Sequence, residues 1–170
     1  MTNTDHYNAL LDPTVHRMTG ITVHQGMRFD NPLITEIAPN LWVGGVEDGM
    51  ILPRFFDHVV SLYQWEAYTV NHSLTSTLTV KMYDADVEPN AAEIDSIVAW
   101  VQAARRSGTV LLHCQAGLNR SMLVAASVLM DDRLSADEAI TRLRAQRSPA
   151  VLCNATFEKW LRARDGSSGQ

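Results

Sequence analysis

Cys114 and Arg120 lie six positions apart in the segment His113-Cys114-Gln-Ala-Gly-Leu-Asn-Arg120-Ser121. A cysteine thiolate is a strong nucleophile, and a planar guanidinium matches two oxygens of a phosphate group. The five residues between them can curl so that their backbone N–H groups converge on one point. Such a nest binds an anion and also holds the sulfur as thiolate. The segment therefore predicts a site for nucleophilic attack on a phosphate ester.

The residues around this pair have their own expected roles. Gly117 permits a positive φ and a close backbone approach, and Ser121 can donate its hydroxyl to the sulfur when the thiolate leaves. Asn119 is expected to hydrogen-bond within the loop and hold its shape. The phosphate is expected to be bound by Arg120 and by the loop interior, which consists of Gln115, Ala116, Gly117, Leu118 and Asn119.

The loop follows a short apolar run, residues 109–113, which is typical of a strand buried on both faces. The very apolar segment from Ser121 to Met130 contains no glycine or proline, and it predicts a helix directly after the loop. In open α/β sheets, ligands bind where a strand ends and a helix begins. The predicted elements therefore place Cys114 at a binding edge of the sheet.

The remaining pattern alternates strands and helices. Asn90 and Ser135, each followed three residues later by glutamate, predict helix starts, and Asn154 can cap a last helix. This order predicts one α/β domain with a mostly parallel central sheet flanked by helices. We expect strands at residues 34–37, 41–43, 58–63 and 78–82, a short helix at 50–56, an N-terminal arm at 1–30, a main domain at 31–164 and a flexible tail at 165–170.

Composition narrows the classes of partner. The net charge of −5 disfavours nucleic acid, whose phosphate backbone attracts basic surfaces. No apolar stretch approaches the roughly 18 residues of a membrane-spanning helix, so we expect no membrane partner. The polar start of the chain and its two cysteines, Cys114 and Cys153, predict a cytoplasmic location.

The segment from His113 to Ser121 resembles the signature of the protein tyrosine phosphatase superfamily, and its form is most similar to the dual-specificity phosphatases. The segment Ile37 to Gly44 resembles the opening strands of that family. Residues 135–143 and 147–161 resemble its last two helices. The resemblance covers about residues 34–161, so it implies a catalytic domain of this family over 31–164.

This resemblance implies a mechanism with a phosphocysteine intermediate and with neither metal nor cofactor. It places a general acid just after the strand before the first long helix, where Asp84 fits best and Asp86 competes, with Glu88 as a distant third. His113 is expected to support the loop by orienting the backbone of Cys114. Cys153 is expected to be a buried or half-buried thiol, and a protective disulfide with an oxidised Cys114 is the other reading.

A phosphorylated protein is the expected substrate, with phosphotyrosine first and phosphoserine or phosphothreonine next. The loop interior has no lysine or arginine, unlike relatives that hydrolyse inositol phospholipids. Asn119 before the arginine is also found in some relatives that act on RNA 5′ ends, so an RNA 5′-phosphatase or another non-protein substrate stays open. Two other classes stay open as well: a catalytically weak phosphate-binding module and a rhodanese-like sulfurtransferase.

Overall fold

The protein is described from a computed structural model, which covers residues 33–47, 49–63, 65 and 68–167. The predicted N-terminal arm, residues 1–30, lies outside the described residues. Within these described ranges, five strands form one sheet in the order β1-β2-β5-β3-β4. Their bounds are β1 Ile34–Ala38, β2 Leu41–Gly44, β3 His58–Ser61, β4 Ser76–Thr79 and β5 Val110–His113.

The sheet is mostly parallel, as predicted. Among the described strands, only the pairing of β1 with β2 is antiparallel, while the pairings β2–β5, β5–β3 and β3–β4 are parallel. All four residues of β5 are buried, because β5 has a strand on each side and a helix packs against it. The parallel strands bring the carboxyl ends of β2, β3 and β5 to one edge of the sheet.

Four helices follow in the described part of the chain: α1 Ala91–Ala104, α2 Arg120–Asp131, α3 Ala136–Gln146 and α4 Ala155–Ser167. The predicted caps are confirmed, since the Asn90 side chain accepts the Glu93 N–H and Ser135 forms a full capping box with Glu138. The apolar face predicted for α1 is also the buried one. Helix α2 packs against α1, α3, α4 and the strands β2 and β5, so it lies at the centre of the helical layer.

Two predicted elements differ in the structure. The short helix expected at 50–56 is wrong: Ile51 forms a parallel bridge with Thr69, and the Leu52 N–H bonds to the Thr69 carbonyl. Pro53 interrupts helical hydrogen bonding there, because it has no N–H to donate. The strand expected at 78–82 lies instead at Ser76–Thr79, because β3 ends at Ser61 and offers no partner further along.

The predicted tail begins too early. Helix α4 continues to Ser167, beyond the expected tail start at residue 165. The Asp165 carboxylate accepts the backbone N–H of Ala136, the first residue of α3, at 3.0 Å, and this contact secures the end of α4. No helix in the described ranges is long and apolar enough to cross a membrane.

Candidate active site

The loop between β5 and α2 is held by hydrogen bonds to its backbone carbonyl groups. Four consecutive carbonyl oxygens accept hydrogen bonds from residues outside the loop, and this leaves the loop's amide N–H groups for its inner side. The donors are the Val46 N–H to Gln115 at 2.9 Å, the Arg147 guanidinium to Ala116 at 3.1 Å and to Gly117 at 2.7 Å, and the Leu152 N–H to Leu118 at 2.8 Å.

Cys114 is buried at the inner side of this loop. The Gly117 N–H donates to its Sγ atom at 3.2 Å, and the Ser121 hydroxyl lies 3.4 Å from Sγ. Burial raises the pKa of the Cys114 thiol, but the Arg120 cation and the hydrogen bonds from Ser121 and Gly117 outweigh it and bring the pKa below its ordinary value. The loop thus favours the thiolate, which is the nucleophilic form.

Gly117 is required at its position for two reasons. Its φ is +69°, a conformation that side chains rarely allow. A Cβ atom added there would come within 2.3 Å of the Gly44 carbonyl carbon and 2.6 Å of Arg147 Nη2. The loop therefore packs directly on the end of β2, and only glycine fits between them.

Arg120 presents one free edge to the loop. Its Nη1 donates to the carbonyl oxygens of Leu62, at 3.3 Å, and Met82, at 3.2 Å. Its Nε is buried and has no hydrogen-bond partner among the described residues. The edge that carries Nε and Nη2 therefore remains for an anion, and a guanidinium edge can bind two phosphate oxygens at once.

His113 is held neutral beneath the loop. Burial lowers its pKa to about 4, and the nearby Arg120 cation contributes in the same direction. Its Nδ1 lies 3.2 Å from the Cys114 carbonyl oxygen, so Nδ1 carries the proton and donates. Its Nε2 then accepts the hydroxyl of Tyr68 at 3.1 Å. These contacts fit the predicted supporting role for His113.

The Asp84 carboxylate is hydrogen-bonded to the loop between β5 and α2, whereas Asp86 is hydrogen-bonded to α4. One carboxylate oxygen of Asp84 accepts the Asn119 side-chain amide at 2.8 Å, and the other accepts the Asn154 amide at 2.8 Å. Asp86 instead accepts the hydroxyl of Thr156 on α4. Of the two candidate acids, Asp84 is therefore the one in contact with a residue next to Arg120.

Asn119 acts between segments rather than within the loop, which corrects our expectation. Its amide nitrogen binds Asp84, and its amide oxygen accepts the backbone N–H of Asn154 at 2.9 Å. The sulfur of the half-buried Cys153 lies 3.3 Å from the same amide nitrogen. Both cysteines are free thiols, and burial raises the pKa of Cys153.

Arg147 and Asn154 are contributors to the site that the sequence did not reveal as such. The buried side chain of Arg147 also donates to the Thr35 hydroxyl at 3.0 Å, so it joins the loop to β1. Asn154 was expected only as a helix cap. No local pattern marked Arg147 as buried, because its partners at Thr35, Ala116 and Gly117 are distant in sequence.

A family model and two related proteins all indicate the same family for this chain. The model of the dual specificity phosphatase catalytic domain matches residues 53–165. The protein called "Putative tyrosine phosphatase 123R" of Invertebrate iridescent virus 6 is 26% identical over 137 residues, which are 75% of this chain and 93% of the viral one. The mouse dual specificity protein phosphatase 12 is 28% identical over 135 residues, and this chain spans 40% of its length.

Solved structures share the fold. The crystal structure of human DUSP28 has a TM-score of 0.67 and 22% sequence identity, and the match covers 82% of this chain and 97% of that one. The crystal structure of Tk-PTP in the active form has a TM-score of 0.63 and 24% identity, and the match covers 79% of this chain and 97% of that one.

Proposed function

Because the chain belongs to the dual specificity phosphatase family and is a phosphatase of the dual-specificity or tyrosine type, we propose that it hydrolyses phosphomonoesters of proteins through a phosphocysteine on Cys114. Phosphotyrosine is the first substrate, and phosphoserine and phosphothreonine follow.

One observation carries the proposal: a thiolate-favouring sulfur and an unoccupied guanidinium edge share the same loop. The Cys114 sulfur receives the Gly117 N–H at 3.2 Å, while the Nε of Arg120 is buried without a partner among the described residues. A buried donor left without a partner costs free energy, and a phosphate oxygen would remove that cost. A nucleophile and an anion receptor in one loop suit attack on phosphorus.

The first step forms the S–P bond and breaks the P–O bond of the ester. The Cys114 thiolate attacks phosphorus, Arg120 and the loop amides stabilise the charge on the phosphoryl oxygens, and Asp84 gives its proton to the leaving oxygen. In the second step a water molecule attacks phosphorus and passes a proton to Asp84. The S–P bond breaks, the thiolate returns with the Ser121 hydroxyl donating to it, and phosphate leaves.

Three features support a phosphoprotein over an inositol phospholipid or an RNA 5′ end. The loop interior, residues 115–119, has no basic side chain that would bind further phosphate groups, and the net charge is −5. Asn119 is engaged with Asp84 and Asn154, so its place before Arg120 has a structural reason that is independent of RNA.

The test compares wild type with Cys114→Ser on p-nitrophenyl phosphate and on phosphotyrosine, phosphoserine, inositol phospholipid and RNA 5′-triphosphate substrates. We expect turnover of p-nitrophenyl phosphate and phosphotyrosine peptide by the wild type and none by Cys114→Ser. Rapid quenching with a denaturant should trap phosphate covalently bound to Cys114. Unchanged turnover by Cys114→Ser would refute the mechanism, and a strong preference for the lipid or the RNA would refute the substrate class.

A further inference from the structure

Two aromatic side chains, Tyr63 and Trp65, lie beside Arg120, the residue proposed to bind the phosphate. Tyr63 and Trp65 follow β3, and their rings lie 5.8 Å apart in an edge-to-face arrangement. The Tyr63 ring also lies 5.4 Å from the central carbon of the Arg120 guanidinium, within cation–π distance. The site described above assigns neither aromatic side chain a role.

Backbone hydrogen bonds connect the end of β3, from which Tyr63 follows, to Arg120 and to His113. The Leu62 carbonyl, directly before Tyr63, accepts Nη1 of Arg120, and the Leu62 N–H bonds to the His113 carbonyl at 2.9 Å. The Ser61 hydroxyl donates to the Tyr63 carbonyl at 3.1 Å. These bonds hold Tyr63 at the same edge of the sheet as Arg120, and Trp65 contacts the Tyr63 ring there.

Trp65 leaves an indole surface in solvent. Its exposed fraction is 63%, although tryptophan is among the residues that gain most from burial. Single exposed apolar residues are common, so exposure alone indicates nothing. Here the exposed indole is linked through Tyr63 to the group that binds phosphate, and an aromatic surface in that place is suited to another ring.

We propose that Tyr63 and Trp65 are specificity-determining residues that pack against the aromatic ring of an aryl phosphate such as phosphotyrosine. The inference rests on the proposed function and deepens it, because it names what selects the ester group. The candidate acid lies on a second loop that contacts Arg120. The Met82 carbonyl accepts a hydrogen bond from Nη1 of Arg120, and Asp84 follows two residues later. An aryl ester bound at Arg120 would then have the aromatic pair on one loop and the acid on the other.

The expected consequence is a preference for aryl over alkyl esters at the binding step. A ring stacked on an aromatic side chain gains affinity by a factor of about two to ten, whereas the short methylene of phosphoserine gains little. Inorganic tungstate mimics phosphate without an ester group, so its binding should not depend on the pair.

The experiment measures KM for p-nitrophenyl phosphate and phosphotyrosine peptide, and the inhibition constant of tungstate, in wild type, Trp65→Ala, Trp65→Phe and Tyr63→Ala. We expect Trp65→Ala to raise KM for both aryl substrates by about three- to tenfold, with kcat and the tungstate constant within about twofold. Trp65→Phe keeps a ring and should recover most of the affinity.

A matched control removes another indole. Trp160 lies on α4 against Arg164, so Trp160→Ala should leave all three constants close to wild type. Unchanged aryl KM in Trp65→Ala, or an equal rise of the tungstate constant, would overturn the inference while leaving the phosphatase mechanism intact. Failure of the mechanism itself appears separately, as turnover that survives Cys114→Ser.

Discussion

The side-chain amide of Asn119 lies 2.8 Å from a carboxylate oxygen of Asp84, across 35 positions of sequence. The residue directly before Arg120, the proposed phosphate ligand, thus holds the candidate general acid. The second Asp84 oxygen is held by Asn154 at the start of α4, so three separate segments meet at this carboxyl group. Because Asp86 lacks these two amide partners, substitutions at Asp84 and at Asp86 can be compared directly.

Asp84→Asn is expected to lower kcat for phenyl phosphate by about 10²- to 10⁴-fold, because the poor leaving group needs a proton. The loss should be much smaller for p-nitrophenyl phosphate, whose phenolate leaves without one. Asp86→Asn is the matched control and should stay within about twofold of wild type, since Asp86 contacts Thr156 rather than the loop. A larger loss in Asp86→Asn than in Asp84→Asn would reverse our assignment.

Asn154→Ser is expected to lower kcat for phenyl phosphate by about tenfold, because Asp84 loses one of its two amide partners. Serine keeps an oxygen that can cap α4, whose Thr156 N–H now bonds to the Asn154 side chain. Asn154→Ala removes the cap as well and should lower Tm further at a similar kcat. Steady-state kinetics and thermal unfolding separate the two effects, and an unchanged kcat in both variants would contradict the positioning role.

Ser121→Ala is expected to slow hydrolysis of the phosphocysteine by about tenfold or more, because the departing thiolate loses a charge-assisted hydrogen bond. Rapid mixing should then show a burst of p-nitrophenolate. The pKa of Cys114 should rise, which iodoacetamide alkylation against pH measures. Ser127→Ala is the control, because that hydroxyl donates to the Leu123 carbonyl on the same helix. Equal kinetics in the two variants would argue against a role for Ser121.

Arg147→Met is expected to lower the free energy of unfolding by about 3 kcal/mol or more, because the buried carbonyls of Ala116 and Gly117 lose their donor. The inhibition constant of tungstate should rise, since the loop amides are no longer held inward. Arg147→Lys keeps the charge but lacks the forked guanidinium, so its free energy of unfolding and its tungstate inhibition constant should lie between those of wild type and Arg147→Met. Urea unfolding and inhibition kinetics measure both effects, and tungstate binding that is unaltered in Arg147→Met would disprove the link.

His113 should make stability depend on pH in the acid range. Its pKa is about 4 in the folded protein against an ordinary 6.5, so between these values the unfolded chain binds the extra proton. The free energy of unfolding should therefore fall as pH drops from 6.5 to about 4, by on the order of 3 kcal/mol from this residue. The difference between wild type and His113→Gln in urea unfolding isolates this contribution. Parallel pH profiles for the two proteins would contradict it.

Features that depend on neighbours in sequence were predictable. The helix caps at Asn90 and Ser135 each need a partner three residues away, and the structure contains both. The loop from Cys114 to Arg120 follows from the same logic, because its nucleophile, its glycine and its arginine are all brought together by one short turn of chain. The spacing of residues is enough when the covalent chain itself sets the distance.

Contacts between distant segments were decided by the tertiary structure. The donor that holds the Gly117 carbonyl is Arg147, 30 positions away, and another of its hydrogen bonds reaches Thr35, 112 positions away. The bounds of β4 are another example. They are set by its pairing with β3, which ends at Ser61, rather than by the alternating pattern of the β4 segment itself. The sequence alone thus predicted the candidate nucleophile and the candidate anion-binding loop, whereas only packing decided which carboxylate and which buried arginine meet that loop, because long-range distances depend on how the whole sheet and its helices assemble.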